Sequence, residues 1–394
     1  MREVKKETTI AWLAVGDEGY GVARAVLVLA QGIRRLGWRP VIICLDDGEF
    51  ARECESRGLS VCRLNLGKPP QFSGSIRHLP SRIWRLRRYQ RQAVGKIEEV
   101  LKRERADAVH VVWSNLVALA GQAAHASGLP CFWEMPNLVS NSYPFGLNRR
   151  LYQWTCRRFG IHVLANSAYT AATLAGGGVR PEVVYLSADE AVFDPAVVEP
   201  VLRQEVGIPQ NAVVLGICGR LTPGKGQEQV LEAMLSLTDS RAPLHLLLLG
   251  GPAAGPYSER LREIAKANNA SDRLHLAGAV DSPQRWYPMM DIIINNYLGA
   301  ETFGLSVVEG MMMGRPALVH ALGGPAETVI DGQTGWHISA PTPEAVRQGL
   351  MRALDERDRW ATMGEAARRH SLTNFSTAVQ IRKYQEVVQN RVRH

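Results

Sequence analysis

The chain is 394 residues long and 46% hydrophobic, with 46 basic against 38 acidic residues and a formal net charge of +8. That length exceeds one ordinary core and predicts two domains of roughly 150–200 residues each, while the apolar fraction fits a folded globular protein. No run of about 18 apolar residues occurs, which excludes a membrane-spanning helix, and the positive balance points to acidic partners without identifying them.

In chain order, the opening MREVKKETTI lacks the apolar core of a secretory signal, so a cytoplasmic location is expected. TIAWLAVG reads as an apolar strand running into GDEGYG, and VARAVLVLAQGIRRLG has helical periodicity that stops at Gly37. PVIICL, SVCRLNL, ADAVHVVW and LPCFWEM follow as strands, and IHVLANS and PEVVYLS close the first half. Between the third and fourth strands, Arg77 to Lys96 (RHLPSRIWRLRRYQRQAVGK) carries six arginines, one lysine and no acid, with Trp84 and Tyr89 among them. Ile83, Leu86, Ala93, Val94 and Ile97 recur at near-helical spacing, so this basic amphipathic helix either lies on an anionic membrane surface or docks on its own domain with a solvated face. Nucleic acid is not expected as a partner, because no stacking platform or binding motif accompanies the charge. Six cysteines, at positions 44, 54, 62, 131, 156 and 218, form no CxxC pair and sit mostly in apolar runs, as free buried thiols do in a reducing compartment.

The pattern then restarts. NAVVLGICGR is a strand, GQEQVLEAMLSL a helix, APLHLLLLGG a strand, SERLREIAKANNA a helix, and DRLHLAG, MDIIINN and RPALVHA are strands. Such alternation predicts an α/β chain with two doubly wound parallel sheets. The proline-flanked VFDPAVVEPVLRQEVGIP marks the boundary, giving domains over residues 1–195 and 196–374, with 375–394 as a terminal helix expected to cross back to the first domain.

Ligands of such sheets bind beyond the carboxyl ends of the strands. In GRLTPGKGQEQ, Arg220 and Lys225 flank a Pro-Gly turn ahead of a helix, two fixed cations suited to a diphosphate. In ETFGLSVVEGMMMGRP a helix beginning near Leu305 leaves the amides of Gly304 and Leu305 free for phosphate or sugar oxygens. Glu301 stands just outside that helix, and Glu309, one turn inside, suits the vicinal hydroxyls of a ribose. Met311 to Met313 read as packing.

The order GRLTPGKG, ETFGLSVVEGMMMGRP, GGPAETVIDGQTGW resembles the C-terminal half of the family 4 retaining glycosyltransferases, whose GT-B fold sets two Rossmann-like domains facing a central cleft. GYGVARAVLVLA, ADAVHVVWSN and LANSAYTAATL resemble segments of the family's first half. The resemblance implies a hexosyltransferase taking a UDP-, GDP- or ADP-sugar, without cofactor or metal, for a glycan, lipid-linked or small-molecule acceptor in polysaccharide biosynthesis. It implies a cytoplasmic enzyme, peripheral on the inner face of the membrane if the basic helix binds there. By the same resemblance Arg220 and Lys225 bind the donor diphosphate, Glu301 the transferred sugar and Glu309 the ribose. Phe303, Gly304 and Leu305 line the donor, Val280 sits near the base, and Gly19 and Gly21 approach from the first domain. The leaving phosphate helps to deprotonate the acceptor, so no protein nucleophile is required. No Asp-x-Asp pair occurs in the chain.

Two departures stand out. Where relatives place a histidine after the fifth strand, the chain reads CFWEMPN, leaving Glu134, Asn137 and His110 as acceptor-side candidates. The usual Asn-Gly-x-Asp is Leu186, Ser187, Ala188, Asp189, keeping only the aspartate. A nucleotide-sugar epimerase of the same fold and a catalytically silent sugar-nucleotide binder are the alternatives. A nicotinamide-linked oxidoreductase is disfavoured, because Gly16, Gly19 and Gly21 run opposite to the G-x-G-x-x-G spacing.

Overall fold

A computed structural model describes residues 7–17, 21–67, 79–139, 146–237 and 242–392. The chain divides into two compact units, Met1–Tyr185 with Gln380–His394, and Leu186–Val379.

The first unit holds strands β1 (Thr9–Ala14), β2 (Arg39–Cys44), β3 (Ser60–Arg63), β4 (Ala108–Val111), β5 (Cys131–Met135), β6 (Ile161–Ala165) and β7 (Glu182–Val183), with helices α1 (Gly21–Arg35), α2 (Glu49–Ser56), α3 (Leu79–Arg103), α4 (Val117–Ala126), α5 (Leu147–Phe159) and α6 (Ala168–Leu174). Among the described residues the strands form one parallel sheet in the order β3-β2-β1-β4-β5-β6-β7. All six residues of β1, TIAWLA, are buried, as a central parallel strand covered on both faces requires. Right-handed crossovers in this order set α1 and α2 on one face and α3, α4 and α5 on the other.

The second unit holds β8 (Val213–Cys218), β9 (Leu244–Leu249), β10 (Leu274–Gly278), β11 (Ile292–Asn295), β12 (Ala317–His320) and β13 (Gly335–Ile338), parallel in the order β10-β9-β8-β11-β12-β13. Its helices are α7 (Gln227–Leu235), α8 (Pro256–Ala267), α9 (Leu305–Met312), α10 (Pro325–Thr328), α11 (Pro343–Asp355) and α12 (Trp360–Phe375). α13 (Thr377–Val392) begins in this unit and ends in the first, where Tyr384 is fully buried. None of the described helices is long and apolar enough to cross a membrane.

Several expectations shift. The first unit ends at Tyr185, ahead of the proline-flanked stretch at which the sequence placed the boundary. The cause is local to the second unit: Ala188 N–H donates to Phe375 O at 3.1 Å, and Glu190 accepts from Thr377 N–H at 2.8 Å, so residues 188–190 are held by the turn between α12 and α13. The terminal helix starts at Thr377, because α12 runs on to Phe375. PEVVYLS supplies only the two-residue β7. β13 is not predicted from the sequence; its four residues GWHI, with a glycine and a histidine among them, do not stand out from the turn residues before them. The three methionines of α9 and its end, Met311 to Met313, are buried.

Candidate active site

The loops beyond β8, β11 and β12 are stitched into one rim. After β8, residues Pro223–Lys225 form a single tight turn, and Gly226 closes it at φ 71°. A side chain at Gly226 would collide with the Asn296 carbonyl, so glycine alone lets the loop lie on the end of β11. Leu298 N–H donates to Gly224 O at 2.9 Å, and Gly324 N–H to Glu301 O at 2.8 Å. Gly323, at φ 88°, bridges Glu301 so closely that a Cβ would strike its carbonyl. Toward the other edge, Leu221 N–H donates to Gly251 O at 2.8 Å and Gly250 N–H to Gly278 O at 2.7 Å, tying the loop that carries half-buried Val280 into the same rim.

Charge concentrates there. Lys225 Nζ lies 2.5 Å from Glu301 Oε2, with both side chains largely covered, and 4.7 Å from the centre of the Tyr297 ring. Arg220 is exposed and makes no ion pair among the described residues, while its carbonyl accepts from Gln227 Nε2 at 2.9 Å. α9 starts at Leu305 behind Gly304, whose φ is 85°. The N–H groups of Gly304 and Leu305 find no backbone acceptor among the described residues. A lysine already paired with a carboxylate and the open N-terminus of α9 thus lie on one rim, and the exposed Arg220 stands on the lysine's loop; cations and helix amides of this kind favour anions.

Glu309 is 5% exposed, and its Oε2 accepts from Tyr287 Oη at 2.9 Å; Ser306 O lies 3.1 Å from the same hydroxyl. Burial, then Cys218 and Glu309, hold the Tyr287 phenol well above its usual range, and burial pushes the Cys218 thiol up to about 12. Phe303 is buried edge-on to Phe375 at 5.7 Å, a packing contact beneath the rim.

The structure therefore brings Lys225 and Glu301 together just ahead of Gly304 and Leu305 at the start of α9, with Arg220 on the same loop as Lys225, Glu309 one turn inside α9 and Val280 on the adjoining loop. In the first unit, His110 Nε2 is 3.3 Å from Glu134 Oε2 and His110 Nδ1 is 2.9 Å from Tyr384 Oη, with Trp12 at 5.1 Å between ring centres. His110 has no exposed surface and Glu134 is 5% exposed, so these two acceptor-side candidates form an enclosed network, whereas Asn137 is exposed. Gly21 is the first residue of α1; Gly19 lies outside the described residues. Asp189 accepts from Ala191 N–H at 3.0 Å and closes a turn. Among the described residues no group of three or more His, Cys, Asp or Glu could hold a metal ion.

Sequence reasoning missed Tyr297, Tyr287, Gln227 and Tyr384. Each works through a contact that local spacing does not encode; only the position of Gln227, directly after GKG, carried a signal, as the first residue of a helix facing the phosphate-type loop.

Two family models match this chain in tandem: Glycosyl transferase 4-like domain over residues 20–206 and Glycosyl transferases group 1 over residues 198–370. It is 28% identical over 196 residues to the lipopolysaccharide 1,2-N-acetylglucosaminetransferase of Salmonella typhimurium, covering 48% of this chain and 51% of that one. It is 29% identical over 274 residues to the D-inositol 3-phosphate glycosyltransferase of Streptomyces scabiei, covering 66% and 61%. With 41% of a third such enzyme, from Catenulispora acidiphila, the chain spans about half the length of the curated relatives it matches. Among solved structures, a glycosyltransferase from Rickettsia africae superposes with a TM-score of 0.82 at 21% identity, covering 99% of this chain and 100% of that one. Anabaena HepE in complex with UDP and glucose gives 0.77 at 19% identity, covering 97% and 100%. At such identity these two likenesses are of fold.

Proposed function

The chain belongs to the group 1 glycosyltransferases of GT-B fold, and from that premise we propose that it moves a hexosyl group from a nucleoside-diphosphate sugar to an acceptor with retention of configuration. Arg220, Lys225 and the amides of Gly304 and Leu305 hold the diphosphate, Glu301 meets hydroxyls of the transferred sugar, and Glu309 the ribose, with Val280 beside the base. The observation that carries this proposal is the Lys225–Glu301 contact of 2.5 Å at the open end of α9. A lysine shared between a carboxylate and a phosphate can strengthen its hold on the phosphate as the sugar departs and negative charge grows on the leaving group. We assign that compensation to Arg220 and Lys225 instead of a divalent ion, and deprotonation of the acceptor to the leaving phosphate.

Among UDP-, GDP- and ADP-sugars, a UDP-sugar is the donor to try first, since HepE was solved with UDP and glucose. For the acceptor we propose a glycan, including a lipid-linked one, on the cytoplasmic side of a membrane. Support for the membrane comes from α3, where Arg85, Arg87, Arg88 and Arg91 are exposed, form no ion pair among the described residues, and stand beside Trp84, 60% exposed. The test is release of nucleoside diphosphate with and without acceptor. Acceptor-dependent release is expected, with Lys225→Ala slowing turnover about 100-fold or more; release without acceptor, or an unaltered rate in the variant, overturns the assignment.

A further inference from the structure

α5 turns an apolar stripe outward. Leu147, Leu151 and Trp154 recur at i, i+4 and i+7, one face of a helix, and are 61%, 58% and 52% exposed. The helix is nonetheless firmly seated. On its inner side Gln153, Thr155 and Cys156 are buried, Tyr152 stacks on Trp133 at 5.0 Å, and Gln153 Nε2 donates to Leu174 O at 2.9 Å. The stripe is thus a fixed feature of the surface, not a result of loose packing.

Arginines frame it. Arg150, Arg157 and Arg158 are exposed and in no ion pair among the described residues. α5 contains no acid, and between Asp107 and Glu182 the sequence has one acidic residue, Glu134, which is buried in β5. α4 packs against both α3 and α5, so the exposed arginines and Trp84 of α3 belong to the same helical layer.

Few surfaces complement this combination. A second copy docked two-fold through the same face would bring like arginines together. A polyanion such as nucleic acid would use the arginines but gain little from Leu147 and Leu151. An anionic bilayer meets both needs, offering phosphates to the guanidinium groups and an acyl boundary to the leucines and indole. We propose that α5 lies flat on an anionic lipid surface, with Leu147, Leu151 and Trp154 sunk at the headgroup boundary and Arg150, Arg157 and Arg158 on lipid phosphates, forming one docking face with α3. At 13 residues the helix lies about 20 Å along the surface. The proposal extends the membrane reading of α3 to a second element and rests on no donor assignment.

Co-sedimentation of the full chain with phosphatidylglycerol–phosphatidylcholine vesicles, against phosphatidylcholine alone, tests it. Wild type should partition to the anionic vesicles. Arg150→Gln/Arg157→Gln/Arg158→Gln should lower that partition by roughly a hundredfold, and Leu151→Ser/Trp154→Ser by about tenfold or more, each with an unaltered melting curve because the positions are exposed. The proposal is overturned if wild type ignores anionic vesicles, or if both α5 variants bind like wild type while Arg85→Gln/Arg87→Gln/Arg88→Gln alone loses binding. It is equally overturned if the α5 changes convert a sedimenting dimer to monomer and leave vesicle binding intact, which would make a second copy the occupant.

Discussion

At the scale of single residues, the site depends on side chains that hold other side chains in place. Glu309 is buried, and a buried carboxylate needs donors to stay charged and oriented; Tyr287 supplies one at 2.9 Å. Tyr287→Phe removes that donor without opening a cavity. A hydrogen bond to a charged group contributes about 1.5–3 kcal/mol, so the donor KM should rise roughly tenfold or more with kcat changed much less. Steady-state kinetics against the donor decide it, and an unaltered KM would sever Glu309 from the ribose. Lys225 is held differently, by Glu301 on one side and the Tyr297 face on the other. Its charge is therefore positioned before any ligand arrives, so the role proposed for it on a departing diphosphate requires little reorganisation.

At the scale of elements, β9 and β10 are joined by more than their ladder. His245 Nδ1 and His275 Nε2 are 2.9 Å apart, with the rings stacked at 5.2 Å. Burial lowers both pKa values from the ordinary 6.5, helped at His245 by His275 and Arg273 and opposed by Asp272. Both rings thus take up protons less readily in the fold than in the unfolded chain. Stability from the pair is complete above about pH 6.5 and is lost as pH falls through the lowered folded-state values. Wild type should lose more melting temperature between pH 7.5 and 5.5, two buffers chosen to bracket that range, than His275→Gln does. Equal losses in thermal melts would show that the pair does not titrate with folding.

At the scale of the molecule, each unit is a doubly wound sheet, and apart from Gly19 and Gly21 the donor-binding residues expected from the sequence belong to Leu186–Val379. A sugar nucleotide at 100 times its Kd should stabilise the folded state by about 2.7 kcal/mol, which corresponds to several degrees in a unit of this size. Thermal-shift measurements with UDP-, GDP- and ADP-sugars should single out one nucleotide. Hydrogen exchange should then slow at residues 219–226 and 301–309; protection elsewhere, or no shift with any of the three, would detach donor binding from this rim.

How much was legible follows from the range of the forces involved. The parallel alternation, the strands β1 to β6 and β8 to β12, and the start of α9 at Leu305 are written in short-range periodicity and glycine punctuation, which act within a few residues. Arg220, Lys225 and Glu301 could be picked out because charged residues on glycine-rich loops after strands have few packing roles, and Glu309 because a carboxylate one turn inside an otherwise apolar helix is out of place in a core. The pairings were not legible, since Lys225 meets Glu301 across 76 positions, Glu309 meets Tyr287 across 22, and His110 meets Tyr384 across 274. The exposed stripe of α5 was equally hidden, because amphipathic spacing reports that a helix has two faces and not which face the sheet covers. The sequence by itself determined the strand order's raw material and the charge of the site; only the tertiary structure decided which charges are paired, which are enclosed and which apolar face is left open, because those outcomes depend on distances between segments that the chain brings together by folding.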